Sequence, residues 1–276
     1  MKTNTTQTKL VLGLQHVLAM FGATVLVPFL TGLNPSIALL SAGIGTLIFH
    51  YCTKKIVPVF LGSSFAFIGA LTLILKEEGI ASVKGGVIAA GFVYVLMSGL
   101  VRYFGVEKIK SFFPPIVVGP IIMVIGLRLS PVALSMSGYK DGNFDPNSLI
   151  VALVVIITMI TVSILEKSFF RLVPILIAVF LGYLTAMSLG MVGFSSFEQA
   201  SWFGFSDLAK KDLLTIPVFT MTAILGIAPI ALVVFIEHIG DIATNGAVVG
   251  KDFFKNPGIT RTLFGDGLAT IVAGFL

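Results

Sequence analysis

Apolar runs of bilayer length follow one another along this chain with only short polar turns between them, which leaves few folds open to it. The run LIVALVVIITMITVSIL over 149–165 contains no charged residue at all. About 20 apolar residues cross a hydrocarbon core. On that rule the chain divides into nine spans, at about 10–30, 34–52, 56–75, 85–104, 113–135, 148–165, 172–191, 214–240 and 260–276. Charged residues make up 11% of the 276, against about 25% in soluble domains, so the expected class is an all-α polytopic membrane protein. Lys and Arg come in ones and twos rather than in stripes, which excludes a nucleic-acid surface. The single cysteine, Cys52, excludes an internal disulfide framework and offers no metal spacing. The polar start MKTNTTQTKL runs straight into a full span without a small-residue cleavage site, so the first span is expected to direct insertion into the cell (inner) membrane.

The basic residues test the span count. With a cytoplasmic N-terminus and strict alternation, the inside loops receive Lys2, Lys9, Lys54, Lys55, Arg102, Lys108, Lys110, Lys167, Arg171, Lys251, Lys255 and Arg261. The outside loops receive Lys76, Lys84, Lys140, Lys210 and Lys211. Twelve against five is the bias of the positive-inside rule, so the N-terminus is expected in the cytoplasm. Arg128 falls inside a span, where snorkelling to the interface accounts for it.

One span departs from plain membrane filler. In LGIAPIALVVFIEHIGDIATNGA (Leu225–Ala247) an apolar run carries Glu237 and Asp241, with His238 between them. An ionisable group at membrane depth costs roughly 2.5–3.5 kcal/mol on insertion scales and so points to a function. Glu237 and Asp241 are four residues apart, one helical turn, on one face. Two carboxylates that close do not readily both ionise, so the pair is expected to hold a proton, as a proton-coupled carrier requires. The bland alternative is a helix end at the membrane surface, where acids are tolerated.

The third span, PVFLGSSFAFIGALTLIL, is a poor continuous helix: Pro58, Gly62, Ser63 and Ser64 suit an extended segment, and the remainder suits a helix. Broken backbone at membrane depth is tolerated where protein or a water-filled cavity covers it, and its freed N–H groups can bind an acceptor. Tight helix packing through small residues would use Gly and Ser equally well. The fifth span opens with Phe113, Pro114, Pro115 and, further on, Pro120, which predicts a kinked or re-entrant entry. Gln15-His16 in the first span and Glu237-His238 in the eighth stand at similar depth, the mark of a seven-plus-seven inverted duplication. Otherwise His16 is a buried histidine satisfied by a neighbouring carbonyl.

Four motifs together carry a resemblance. GLQHVLAMFGATVLVPFLTGLNPS (Gly13–Ser36), VPVFLGSSFAFIGA (Val57–Ala70), FFPPIVVGPIIMVIGL (Phe112–Leu127) and ALVVFIEHIGD (Ala231–Asp241) resemble the nucleobase–ascorbate transporter family, and within it the uracil permease branch. The likeness runs along the whole chain in order. It implies one integral membrane domain with a 7+7 inverted-repeat fold, divided into a core and a gate domain. Residues 8–191 would be the first seven-segment repeat and 214–276 an incomplete second. The third and tenth segments of the family each carry a short strand that meets the substrate. The implied function is secondary active transport, a proton symport of uracil or a related nucleobase, with no cofactor beside the coupling proton. Expected partners are the nucleobase, the lipid bilayer and a second copy in a homodimer.

By position, the resemblance puts the family's binding glutamate on Glu237 and the backbone contact from the broken segment on Phe65, with Ser64 beside it. Ala23 would line the same pocket. Proton coupling would fall to Glu237, Asp241, His16 and His238. Histidine is often found one turn after the binding glutamate in this family. Here that position is Asp241, and His238 lies about 100° round the helix from Glu237. The chain reaches Leu276 within what resembles the ninth segment, so a C-terminally truncated carrier is expected, with segments ten to fourteen beyond it. Other readings are a xanthine or purine permease of the same family and a fragment that does not transport. An intramembrane enzyme would want a nucleophile with a paired base or an HExxH spacing, and an anion carrier a basic residue at the pocket.

Overall fold

The computed structural model describes residues 6–105, 108, 115–165, 174–193, 204 and 206–276. Helices dominate, as the apolar runs require, and the chain falls into two compact units. One comprises Met1–Phe21 and Gly126–Gly204; the other comprises Gly22–Ile125 and Phe205–Leu276. Helix α1 covers Thr6–Thr31, α2 Pro35–Cys52, α3 Ile68–Glu78 and α4 Ile80–Phe104. After these come α5 (Pro115–Arg128), α6 (Ser130–Met136), α7 (Pro146–Ile164) and α8 (Pro174–Ser188). The last four are α9 (Asp207–Leu214), α10 (Met221–Ile227), α11 (Ile230–Val249) and α12 (Ile259–Phe275). Among the described residues, Pro35–Cys52, Ile80–Phe104, Pro146–Ile164 and Met221–Val249 are helical stretches long and apolar enough to cross a bilayer. The chain is an integral membrane protein.

In the first unit, α7 packs on α8 with Gly182 so close to Val155 that a Cβ there would lie 2.6 Å from Val155 Cγ2. A two-residue hairpin precedes α7, pairing Tyr139 with Phe144 and Lys140 with Asn143. Its corner residues, Asp141 (φ 51) and Gly142 (φ 88), both take the left-handed conformation that suits such a turn to strand twist. Asp145 then caps α7, accepting from the amide and the hydroxyl of Ser148 at 2.9 and 2.6 Å. Those bonds hold its carboxyl below the ordinary aspartate range. The cap is therefore complete above the ordinary aspartate value and is lost as pH falls through the lowered one.

The second unit is built on α4, which packs against α12, while α12 also packs against α2. Small residues set the spacing. A Cβ on Gly91 would stand 2.9 Å from the carbonyl oxygen of Gly267, and one on Gly267 would stand 3.0 Å from that of Gly91. Apolar surface drives little association between helices in lipid, so close backbone approach of this kind supplies the packing energy. Phe49, Ile88, Tyr94, Phe235 and Leu263 fill the remaining interior. Gly91→Ala is expected to overpack this seam and cost about 1–3 kcal/mol. Gly99→Ala on the same helix meets nothing within 4 Å and should be neutral or slightly stabilising. Apparent melting temperatures of the two purified variants check this.

Three boundaries differ from the sequence expectations. The eighth span, expected at 214–240, starts at Met221 and runs to Val249, with a bend where Pro229 supplies no N–H. Ala228 and Pro229 keep helical dihedrals, and Ala231 and Leu232 donate three residues back, so the axis kinks without breaking. Gly250, left-handed at φ 73, ends α11. The fourth span begins at Ile80 rather than 85, which places Lys84 within the helix and buried, not in a loop. The fifth divides into α5 and α6, with Pro115 first in α5 and Pro120 inside it; Phe113 and Pro114 lie outside the described residues.

Candidate functional site

Between α2 and α3 the third span runs without regular structure from Ile56 to Ser64, apart from a bend at Val57. It then tightens into one 3₁₀ turn, Phe65–Phe67, before α3 begins. Pro58 lacks an amide hydrogen and the run Gly62-Ser63-Ser64 favours no helix, which is why the backbone opens here. Thr46 on α2 covers part of the open backbone, its hydroxyl accepting from the Leu61 amide at 3.0 Å. Ser64 sits at the N-cap in extended conformation (φ −91, ψ 132), and its hydroxyl oxygen accepts from the amide of Ala66 at 3.3 Å. The amide of Phe65, first in the turn, has no partner within the helix by construction, and no group among the described residues accepts from it.

The same Ser64 hydroxyl donates to Oε2 of Glu237 at 3.2 Å. Residues 173 positions apart thus join the broken segment to α11. Glu237 is half-buried, so the carboxylate has one oxygen engaged and surface left to accept from something else. An acceptor pair and an unpaired amide donor thus stand side by side, the arrangement that a flat ring with N–H and C=O groups on its edge requires. Ala23 is half-buried on α1 beside the fully buried Thr24 and has no polar side-chain atom with which to join the pair. Asp241, one turn after Glu237, is exposed. His16 belongs to the other unit and is half-buried on α1.

His238 turns away from Glu237 into the helix seam, as its 100° offset demands. Its Nδ1 lies 3.1 Å from Oδ2 of Asp266 and its Nε2 lies 3.0 Å from the hydroxyl of Thr262, both on α12. The Thr262 hydroxyl also lies 2.9 Å from the Ile259 carbonyl and has a single hydrogen to give. If that hydrogen goes to Ile259, Nε2–H donates to Thr262, and one further proton is held between Nδ1 and Asp266. If it goes to His238, the ring is neutral and Nδ1–H donates to the carboxylate. His238, Asp266 and Thr262 thus form a polar link between α11 and α12. Asp266, absent from the sequence expectations, carries the same signal as Glu237, an acid within an apolar span (the GDG of 265–267).

A second polar cluster fixes the approach to α10 and α11. Lys84 Nζ donates to the carbonyls of Asp212, Leu213 and Thr215 at 2.6, 3.4 and 2.9 Å, at the C-terminal end of α9. Val218 donates from its amide to Ala81 at 2.9 Å, and the hydroxyl of Thr220 donates to Glu78. The extended strap 215–220 is therefore laid along the first turns of α4, and Thr220 caps α10, its hydroxyl accepting from Ala223.

Comparison with known proteins bears on this geometry. A model described as "Permease family" matches residues 7–276. The chain belongs to this family. It is 43% identical over 96% of its length to a probable uracil permease of Haemophilus influenzae, covering 63% of that protein. It is 40% identical over 96% of its length to a uracil permease of Escherichia coli, covering 61% of it. A putative pyrimidine permease of Escherichia coli is 34% identical over 96% of the chain, with 60% of that protein covered. The chain thus spans about 63% of the length of the first of these relatives and slightly less of the others.

Proposed function

We propose that this permease takes part in secondary active transport of uracil or a closely related pyrimidine across the cell membrane, with protons as the coupling ion. The observation that carries the reading is the Ser64–Glu237 bond, which sets a membrane-depth carboxylate beside the unpaired amide of Phe65. Uracil has two N–H donors and two carbonyl acceptors on a flat ring. The Glu237 carboxylate accepts from ring N–H, and the Phe65 amide donates to a ring carbonyl. Ser64 holds Glu237 in place, and Ala23 lines the pocket. The names of the relatives support the substrate class. Proton coupling runs through Glu237 and Asp241, with His238 and His16 as further carriers, within one transporter domain built as a 7+7 inverted repeat. Radiolabelled uracil uptake in cells lacking their own carrier tests this. Uptake that survives collapse of the proton gradient would remove the coupling, and failure of excess unlabelled uracil to compete would remove the substrate.

Orientation follows from the same proposal. With the N-terminus in the cytoplasm, the hairpin at Asp141 faces outward and Lys54 inward. In a Cys52→Ser background, Asp141→Cys should label with an impermeant thiol reagent on intact cells. Lys54→Cys should label only after permeabilisation. The opposite pattern reverses the orientation.

A further inference from the structure

We propose that the loop after α2 and the loop after α11 together form a binding site for one anionic phospholipid of the cytoplasmic leaflet. Two grooves adjoin there, both within the second unit, and share Lys251 and Asp252. One, of about 460 Å³, is lined by Lys55, Ile56 and Asn256 besides the shared pair. The other, of about 430 Å³, is walled by Ile242, Ala243, Ala247, Phe253 and Phe254. A cationic pocket with an amide donor opens directly onto an apolar trough. That is the complement of an amphiphile, not of a soluble anion.

The polar end is a built feature. Lys54 and Lys55 are consecutive non-glycine residues at φ 54 and 58, a strained left-handed pair. Hydrogen bonds from Lys54 to the Tyr51 carbonyl (3.2 Å) and from Lys55 to the His50 carbonyl (2.8 Å) hold it. The one acid in the pocket, Asp252, is occupied: its carboxylate accepts from the amides of Phe254 (3.0 Å) and Lys255 (3.3 Å) and lies 3.7 Å from Lys255 Nζ. No carboxylate among the described residues pairs with Lys55 or Lys251, so both ammonium groups remain for a phosphodiester. An acyl chain then follows Ala243 and Ala247 along α11, where the neighbouring Val248 is 82% exposed. An anionic headgroup is selected because a zwitterionic one would bring its own ammonium against the lysines. On the orientation proposed above these loops meet the leaflet that carries anionic lipid.

Native mass spectrometry of the detergent-purified chain tests the site. The chain is titrated with phosphatidylglycerol, with phosphatidylcholine of the same acyl chains, and with glycerol 3-phosphate. Phosphatidylglycerol should bind once per chain and outlast phosphatidylcholine. Lys55→Gln with Lys251→Gln should weaken it about thirtyfold, at the usual contribution of two lysines near a membrane surface. Ala247→Trp, which fills the trough from an exposed position, should weaken it as well. Lys210→Gln with Lys211→Gln removes the same charge elsewhere and should change binding less than threefold. Equal losses in the two double variants, or no preference for phosphatidylglycerol over phosphatidylcholine, would overturn the site. Glycerol 3-phosphate binding as tightly as the lipid would make it a soluble-phosphate site and overturn the lipid assignment.

Discussion

Glu237→Gln is expected to weaken uracil binding roughly ten- to hundredfold while leaving the fold intact. The substitution keeps the shape of the side chain and an oxygen that can still accept from Ser64, so the bond between the broken segment and α11 survives. What is lost is the anionic acceptor. A hydrogen bond to a charged group contributes about 1.5–3 kcal/mol, and that difference sets the range. Ser64→Ala removes a neutral donor and a cap instead, so its effect on binding should be a few-fold at most. Equilibrium binding of labelled uracil to purified protein separates the two, with melting temperature as the control for folding. Binding equal to the parent in Glu237→Gln would make the glutamate a structural partner of Ser64 and nothing more. Asp241→Asn, on an exposed position one turn away, should leave binding largely intact and reduce gradient-driven accumulation.

The glutamate and the broken segment were legible in the sequence for physical reasons that need no partner. A carboxylate inside an apolar run is costly wherever it lands, and Pro58 with Gly62-Ser63-Ser64 cannot hold a helix whatever packs against it. The bond between them was not legible, because nothing local says which of the polar groups at membrane depth will meet. The seam of Gly91 and Gly267 was hidden for the same reason: a small residue shows that something can come close, not what does. His238 shows the limit from the other side. Its helical offset of 100° from Glu237 was readable in the sequence, but its partners on α12, Asp266 and Thr262, were not. The far end of the eighth span was misjudged because the acids at 237 and 241 look like a membrane boundary to a hydropathy rule. The stop lies at Gly250, a C-cap signal that was present in the sequence.

Lys84 is the residue for which the sequence misled most, and it carries the second large expectation. A lone lysine at the edge of an apolar run reads as a loop residue, since its partners lie 128 to 131 positions away. In the structure it is only 4% exposed and closes the C-terminal end of α9. Helix ends leave carbonyls unpaired and carry partial negative charge, so a buried ammonium among three of them needs no carboxylate to hold it. Lys84→Met fills similar space without a donor. It should cost about 2–4 kcal/mol, as one or two charge-assisted bonds go uncompensated, and lower the apparent melting temperature by about 5–15 °C. Lys84→Arg should recover part of the loss, and Lys211→Met, an exposed position on α9, should cost little.

The effect should also reach the site. The strap 215–220 passes so close to α4 that a Cβ on Gly85 would stand 2.1 Å from the Val218 carbonyl oxygen, and it leads directly into the kinked α10–α11 pair that carries Glu237. Releasing the strap at Lys84 frees the start of that pair to shift. Uracil affinity should therefore fall in Lys84→Met when measured well below its melting temperature, and should return with Lys84→Arg. A variant that melts early but binds uracil with unchanged affinity would confine Lys84 to holding α9 and leave the position of Glu237 to the Ser64 bond and the packing of α11 on α4 and α12.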